Sequence, residues 1–299
     1  MKFSIVTPAY NTALHIAETI ESVLSQAGDF EIEYTIMDGG STDGTVEIIK
    51  KYEQLLNEKK YPIKCLGVTF KWQSEKDRGM YDAINKGFSQ ATGDIYAWIN
   101  ADDIYEPDAF QAIKETLETF PEIEWVKGTN TNIEAGGTFI KQNKLRIYHQ
   151  SWLQKGIYGR VAYFIEQDTV FWRKSLWKKI GDIPNQYRYA GDYWLWIHFA
   201  QHAKLWSLNI NISIFRKRKE QMSQNMTAYQ CEQREIMPRL PLSAFAIRVF
   251  FNLEKRFGPG SNNFFNALYR LFFVQSNKEY YIDIVGGRYT KNEARVYLK

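Results

Sequence analysis

Residues 3–38 read FSIVTPAYNTALHIAETIESVLSQAGDFEIEYTIMD. Phe3–Thr7 is a short apolar run with β-branched residues, as a buried strand requires. After Pro8–Asn11 the period changes: Ile16, Ile20, Val23, Leu24 and Ala27 share one face of an amphipathic helix. Ile32, Tyr34 and Ile36 then alternate with other residues, which is the period of a strand. A helix carrying Ile48, Tyr52, Leu55 and Leu56 and a strand-like run Ile63–Phe70 follow, so the chain opens β-α-β-α-β. Ala83, Ile84, Gly87, Phe88 and Ala91 predict a third helix, Asp94–Asn100 a strand, and Pro107 the first residue of a helix with Phe110, Ile113 and Leu117. Such alternation builds an α/β fold, a mainly parallel sheet with helices on both faces. Ligands of these sheets bind beyond the carboxyl ends of the strands. Here those ends are Pro8–Asn11, Asp38–Thr45, Glu75–Gly79 and Asn100–Asp103.

Beyond residue 130 the pattern loosens. Gly136-Gly137 reads as a hairpin turn between Asn130–Ile133 and Phe139–Ile147, and helix resumes over Asp192–Ala203. The 299 residues, 44% hydrophobic and 16% aromatic, suffice for one catalytic domain over 1–238 and an appendage over 239–299. The formal charge is +4, yet 239–299 hold ten Lys/Arg against four Asp/Glu, leaving 28 against 30 in the rest. A basic excess confined to one end points to a surface partner there and away from a nucleic-acid binder. Cys65 and Cys231 are too few for a disulfide framework and read as packed thiols. With no leader-like start and no apolar run of membrane-spanning length, the expected location is cytoplasmic.

Neither the phosphate loop G-x-x-x-x-G-K-[ST] nor G-x-G-x-x-G occurs. Asp38-Gly39-Gly40-Ser41-Thr42-Asp43-Gly44-Thr45 suits either an anion at a helix start or an ordinary capped turn. Trp98-Ile99-Asn100-Ala101-Asp102-Asp103 ends an apolar strand in adjacent carboxylates, whose repulsion calls for a nearby positive charge. Hard oxygen donors of this kind favour Mg²⁺ or Mn²⁺ bridged to substrate phosphates; a solvated turn is the alternative.

In order and approximate spacing, Thr7–Asn11, Asp38–Thr45, Ser74–Gly79 with Asp82–Gly87, and Asn100–Asp103 resemble the motifs of family 2 glycosyltransferases, over residues 1–225. The resemblance implies a GT-A fold and an inverting transfer of a sugar from a UDP- or GDP-sugar to a hydroxyl of a glycan or lipid-linked acceptor, as in cell-envelope polysaccharide synthesis. It implies that Pro8, Tyr10 and Asn11 line the nucleoside pocket, that Asp38 meets the base, that Asp77 and Arg78 flank the nucleotide, that Asp102 faces the ribose and metal region, and that Asp103 is the main metal ligand. Gln167, Phe171–Arg173 and Tyr189–Trp196 resemble the acceptor half, with Asp192 as catalytic base; taken alone, Asp192 also suits a helix N-cap.

Three positions depart from the family pattern. Asn100 stands at an acidic position, Gly191 where many relatives have Glu, and Arg218, in Phe215–Ser223, where a metal-binding His is expected. Arginine cannot ligate a cation. Either the metal then relies on Asp103, diphosphate and water, or Arg216 and Arg218 contact the diphosphate; a solvated charge run is the plainer reading. A catalytically degenerate nucleotide-sugar-binding protein is the competing function. Apolar stripes at Leu242, Ala246, Val249, Phe250, Leu253, Phe257 and at Phe264, Phe265, Leu268, Tyr269, Phe272, interleaved with basic residues, predict an amphipathic helical appendage that rests on an anionic membrane, packs on the catalytic domain or forms a homodimer.

Overall fold

The computed structural model describes residues 1–219, 221–241, 244, 245, 247–249, 279–285 and 288–294. Its core is one sheet. Strands β1 (Lys2–Ala9), β2 (Gly28–Asp38), β3 (Cys65–Ser74) and β4 (Ile95–Trp98) run parallel in the order β4-β1-β2-β3. Helices α1 (Ile16–Leu24), α2 (Thr45–Asn57) and α3 (Met80–Ser89) alternate with them. The sheet continues through the antiparallel β8 (Val170–Arg173) to β6 (Trp125–Glu134) and β9 (Leu205–Lys217), which pair parallel to each other. One antiparallel strand thus sits inside a mainly parallel sheet. The short strands β5 (Ile104–Tyr105) and β7 (Phe139–Gln142) add to β9 and β6, the latter as the hairpin expected around Gly136-Gly137.

Period-2 alternation divides the core between the two faces of this sheet. Phe3 and Ile5 of β1, Ile95 and Ala97 of β4 and Phe171 of β8 pack with α1, whose Ile16, Ile20, Val23 and Leu24 are fully buried, and with α4 (Ala109–Thr119). Val6, Tyr96, Trp98, Trp125 and Trp172 face the other way, in a cluster with α3, α5 (Gln150–Gln154), α6 (Lys174–Ile180) and α7 (Gly191–His202). There Trp196 of α7 stacks on Trp98 and Trp125 at centroid distances of 5.7 and 5.8 Å. This indole layer fixes α7 on the sheet, and with it the N-terminal turn that carries Asp192.

Three expectations need correction. Helix α4 begins at Ala109, not Pro107: Asp108, at φ +63°, turns the chain into the helix from a left-handed conformation. Cys231 is exposed on α8 (Met226–Ile236), not packed. Residues 279–294, read as part of a helical appendage, hold β10 (Glu279–Val285) and β11 (Arg288–Ala294), an antiparallel pair that widens the main sheet through a parallel contact of β10 with β9. Ile282 of β10 is fully buried, and Lys291 lies over the Trp206 ring. The signal was present in the alternating Tyr280, Ile282 and Ile284 followed by Gly286-Gly287. Of the two apolar stripes, only Val249 falls among the residues whose side chains are described, and it is 40% exposed; the neighbouring Ala244 and Ile247 are buried in the core. The membrane expectation therefore lies mainly outside the described residues. Among those residues no helix is long and apolar enough to cross a membrane.

Trp196→Ala, which opens a void in the indole layer, is expected to cost about 3–5 kcal/mol of unfolding free energy. Urea denaturation would read this as a lower midpoint at unchanged slope.

Candidate active site

The strand ends meet at one rim. After β1, Asn11 adopts φ +50°, donates its backbone N–H to Ser41 Oγ at 2.8 Å and accepts Thr42 N–H at Oδ1 at 2.9 Å. Gly39 is essential to the meeting, because a Cβ there would fall 2.8 Å from Asp77 Oδ2 and 3.4 Å from the Tyr10 ring. Tyr10, 64% exposed, and Asp77 therefore approach over bare backbone. Pro8 is buried within β1. Asp38 is buried and spends its carboxylate within its own loop, accepting from Gly40 N, Ser41 N, Ser41 Oγ and, at 2.6 Å, Ser74 Oγ. The free carboxylate expected to meet a base is thus a loop anchor in this structure. Asp77 closes the turn before α3 by accepting Gly79 N–H at 2.9 Å; Arg78 is largely exposed and paired with Asp82.

Past β4 the two adjacent aspartates separate in role. Asp103 is wholly buried, and both its oxygens take protein donors: Arg216 N–H at 2.9 Å and Asn100 Nδ2 at 3.4 Å. Burial, with the charges of Asp102 and Asp168, pushes its carboxyl well above the usual carboxylate range. Asp168, itself buried, accepts from Asn130 and Ser213. Asp102 Oδ2 instead receives Arg218 Nε at 2.7 Å and Gln221 Nε2 at 3.0 Å. Arg216 is no diphosphate contact: it is 3% exposed, and its guanidinium donates to Asp102 O, Ala135 O and Glu18. Strand β9 carries it inward because the buried Asp103 and two carbonyls need donors.

These residues fit a divalent cation poorly. The carboxylate expected as main ligand is sealed, Asn100 is neutral, and the remaining carboxylate already holds a guanidinium. Among the described residues no three His, Cys, Asp or Glu side chains gather as a metal site.

Asp192 stands at the first turn of α7. Its Oδ1 accepts Tyr193 N–H at 2.7 Å and the hydroxyl of Tyr229 at 3.1 Å, and lies 3.3 Å from the Tyr81 hydroxyl. Among the described residues Oδ2 has no donor. Burial raises the carboxyl to about 6, although the hydrogen bonds to Tyr193, Tyr229 and Tyr81 pull the other way by favouring the anion. A recess lined by Leu153, Tyr158, Phe164 and Trp196 adjoins it. Gly191 has a steric reason: a Cβ there would lie 2.7 Å from the Tyr81 ring, so the tyrosine occupies the space a Glu would need. The turn is held from α8, where Glu232 accepts the backbone N–H groups of Arg188, Tyr189 and Ala190 at 2.7–2.8 Å. Tyr81, Tyr229, Glu232 and Gln221 carry no local motif; only long-range packing brings them to these carboxylates. Tyr81 sits in the first turn of α3, so one helix joins the Asp77 loop to Asp192.

The family model described as "Glycosyl transferase family 2" matches residues 4–205. The chain belongs to this family. An uncharacterized glycosyltransferase of Nostoc sp. is 34% identical over 40% of this chain and 34% of its own length. A PGL/p-HBAD biosynthesis glycosyltransferase of Mycobacterium bovis is 28% identical over 64% of this chain and 66% of its own. The matches thus span between about a third and two thirds of these relatives. In fold the chain resembles Staphylococcus aureus TarS 1–349 in complex with UDP-GlcNAc, with a TM-score of 0.59 at 18% identity over 89% of this chain and 76% of that one. It also resembles the mannosyltransferase PcManGT of Pyrobaculum calidifontis in complex with GDP-Man and Mn²⁺, with a TM-score of 0.56 at 16% identity over 91% and 76%. The fold is therefore GT-A.

Tyr229→Phe removes a hydrogen bond that favours the charged carboxylate, so the Asp192 titration is expected to move upward from about 6. Carboxyl-carbon NMR titration of wild type and variant reads this directly; a downward or absent shift would contradict the assigned bond.

Proposed function

We propose that this chain is an inverting glycosyltransferase, moving a hexose from a UDP- or GDP-sugar to a hydroxyl of a glycan or lipid-linked acceptor. The observation that carries the reading is Asp192, with one oxygen fixed by Tyr193, Tyr229 and Tyr81, the other free of described donors, and a carboxyl raised to about 6. A base is most effective when its pKa lies near the working pH. The free oxygen takes the acceptor hydroxyl proton while the acceptor oxygen bonds to the anomeric carbon. The bond from that carbon to the phosphate oxygen breaks, and its electron pair leaves with the nucleoside diphosphate. Attack opposite the leaving group inverts the anomeric centre. Tyr10, Asn11 and Asp77 form the nucleotide rim, and the ligands named for TarS and PcManGT support a nucleotide-sugar donor.

A binding protein without turnover is the second reading, favoured by the guanidinium on Asp102 where the family pattern expects a metal. Diphosphate release from a panel of nucleotide sugars separates the two: tight donor binding without release in any acceptor pool would select the binding protein.

Asp192→Asn keeps the shape and removes the proton acceptor. Turnover is expected to fall by about 10²–10⁴-fold, with nucleotide affinity within about twofold of wild type. Because the base must be ionised, wild-type turnover should rise with pH and level above about 6. Unchanged turnover in the variant would remove Asp192 from the mechanism.

A further inference from the structure

We propose that the Arg218 guanidinium, seated on Asp102, takes the place of a divalent cation and that this chain binds its nucleoside diphosphate, and releases it as leaving group, without metal. The inference deepens the nucleotide-sugar reading and rests on it. Arg218 follows the last residue of β9 and donates Nε to Asp102 Oδ2 at 2.7 Å, on the turn that ends β4. Gln221 holds both partners, accepting Arg218 N–H at Oε1 at 3.1 Å and donating Nε2 to Asp102 at 3.0 Å and to Arg216 O. The side chain is 29% exposed while Asp102 is 7% exposed, so the pair is anchored inside and reaches solvent through the arginine. A guanidinium has five N–H donors in a fixed fork. One is spent on Asp102, and among the described residues the other four have no partner.

A bridging metal needs an anionic protein ligand on one side and phosphate oxygens on the other. Asp103 is enclosed with a donor on each oxygen, and Asp102, only 7% exposed, has its charge already met by Arg218. A dication brought to it would sit against the guanidinium, and like charges at that separation repel strongly. The free N–H fork is instead matched to phosphate oxygens, which it binds bidentately. Arg216 cannot share the task, being buried with its donors spent.

Calorimetric titration of UDP, GDP and UMP into the full chain, in EDTA and in Mn²⁺, tests this. Wild type is expected to bind one diphosphate with affinities within about twofold in the two buffers. Arg218→Ala should weaken the diphosphate roughly tenfold or more in both buffers, the loss of charge-assisted bonds, and UMP much less. Arg218→His should regain the diphosphate in Mn²⁺ alone, because imidazole can ligate and guanidinium cannot. Wild-type diphosphate binding that collapses in EDTA overturns the inference and leaves the nucleotide-sugar reading standing, as does an Arg218→Ala chain that binds as wild type. A wild type that binds neither diphosphate in either buffer overturns both. If Arg218→Ala does not fold, seen as loss of its circular-dichroism melting transition, the wild-type comparison between EDTA and Mn²⁺ decides alone.

Discussion

One buried arginine holds the ligand edge of the sheet together. The backbone of Arg216 donates to Asp103, and its guanidinium reaches Asp102 O, Ala135 O and Glu18, tying β9, the acidic turn, the β6–β7 hairpin and α1 into one unit. A cation excluded from water needs its donors satisfied, so each of these partners is fixed in direction as well as in distance. Asp103 is thereby sealed in, while Asp102, also buried, turns its carboxylate to the part-exposed Arg218. The division of labour between two adjacent aspartates follows from that single constraint.

The same economy governs the other end of the site. Desolvation alone would leave Asp192 protonated near neutrality, and hydrogen bonds alone would leave it a weak base. The two effects oppose each other and place the carboxyl at about 6. Each bond comes from a different part of the chain: Tyr81 from α3, Tyr229 from α8, and the Tyr193 amide from α7 itself. Because α3 begins at the Asp77 loop and carries Tyr81, that loop and Asp192 share a rigid element, and the aromatic layer around Trp196 holds α7 on the sheet.

The absence of Glu beside Asp192 and of His at 218 are therefore linked to particular neighbours and are not simple losses. Tyr81 fills the volume a residue-191 side chain would take, and Arg218 meets the charge of Asp102. These two departures from the family pattern are each matched by a neighbour within contact distance.

The alternation of strands and helices from β1 to β4 and the strand-end loops were legible in the sequence, because periodicity and motif order are local properties of the chain, whereas the two-residue β5 is too short to show a period. The run Arg216–Lys219 was not: four consecutive basic residues look alike in sequence, yet Arg216 is buried, Arg218 half-buried and Lys217 and Lys219 exposed. The C-terminal hairpin was likewise hidden, since the alternation in residues 280–284 is short and gains meaning only when β10 finds β9. Which carboxylate is sealed, which is paired and which is free depends on donors from distant segments, Arg216 to Asp103, Arg218 to Asp102 and Tyr81 to Asp192. Hydrogen bonds are short-ranged and directional, so no spacing along the chain encodes them; only the closed sheet brings those groups within reach.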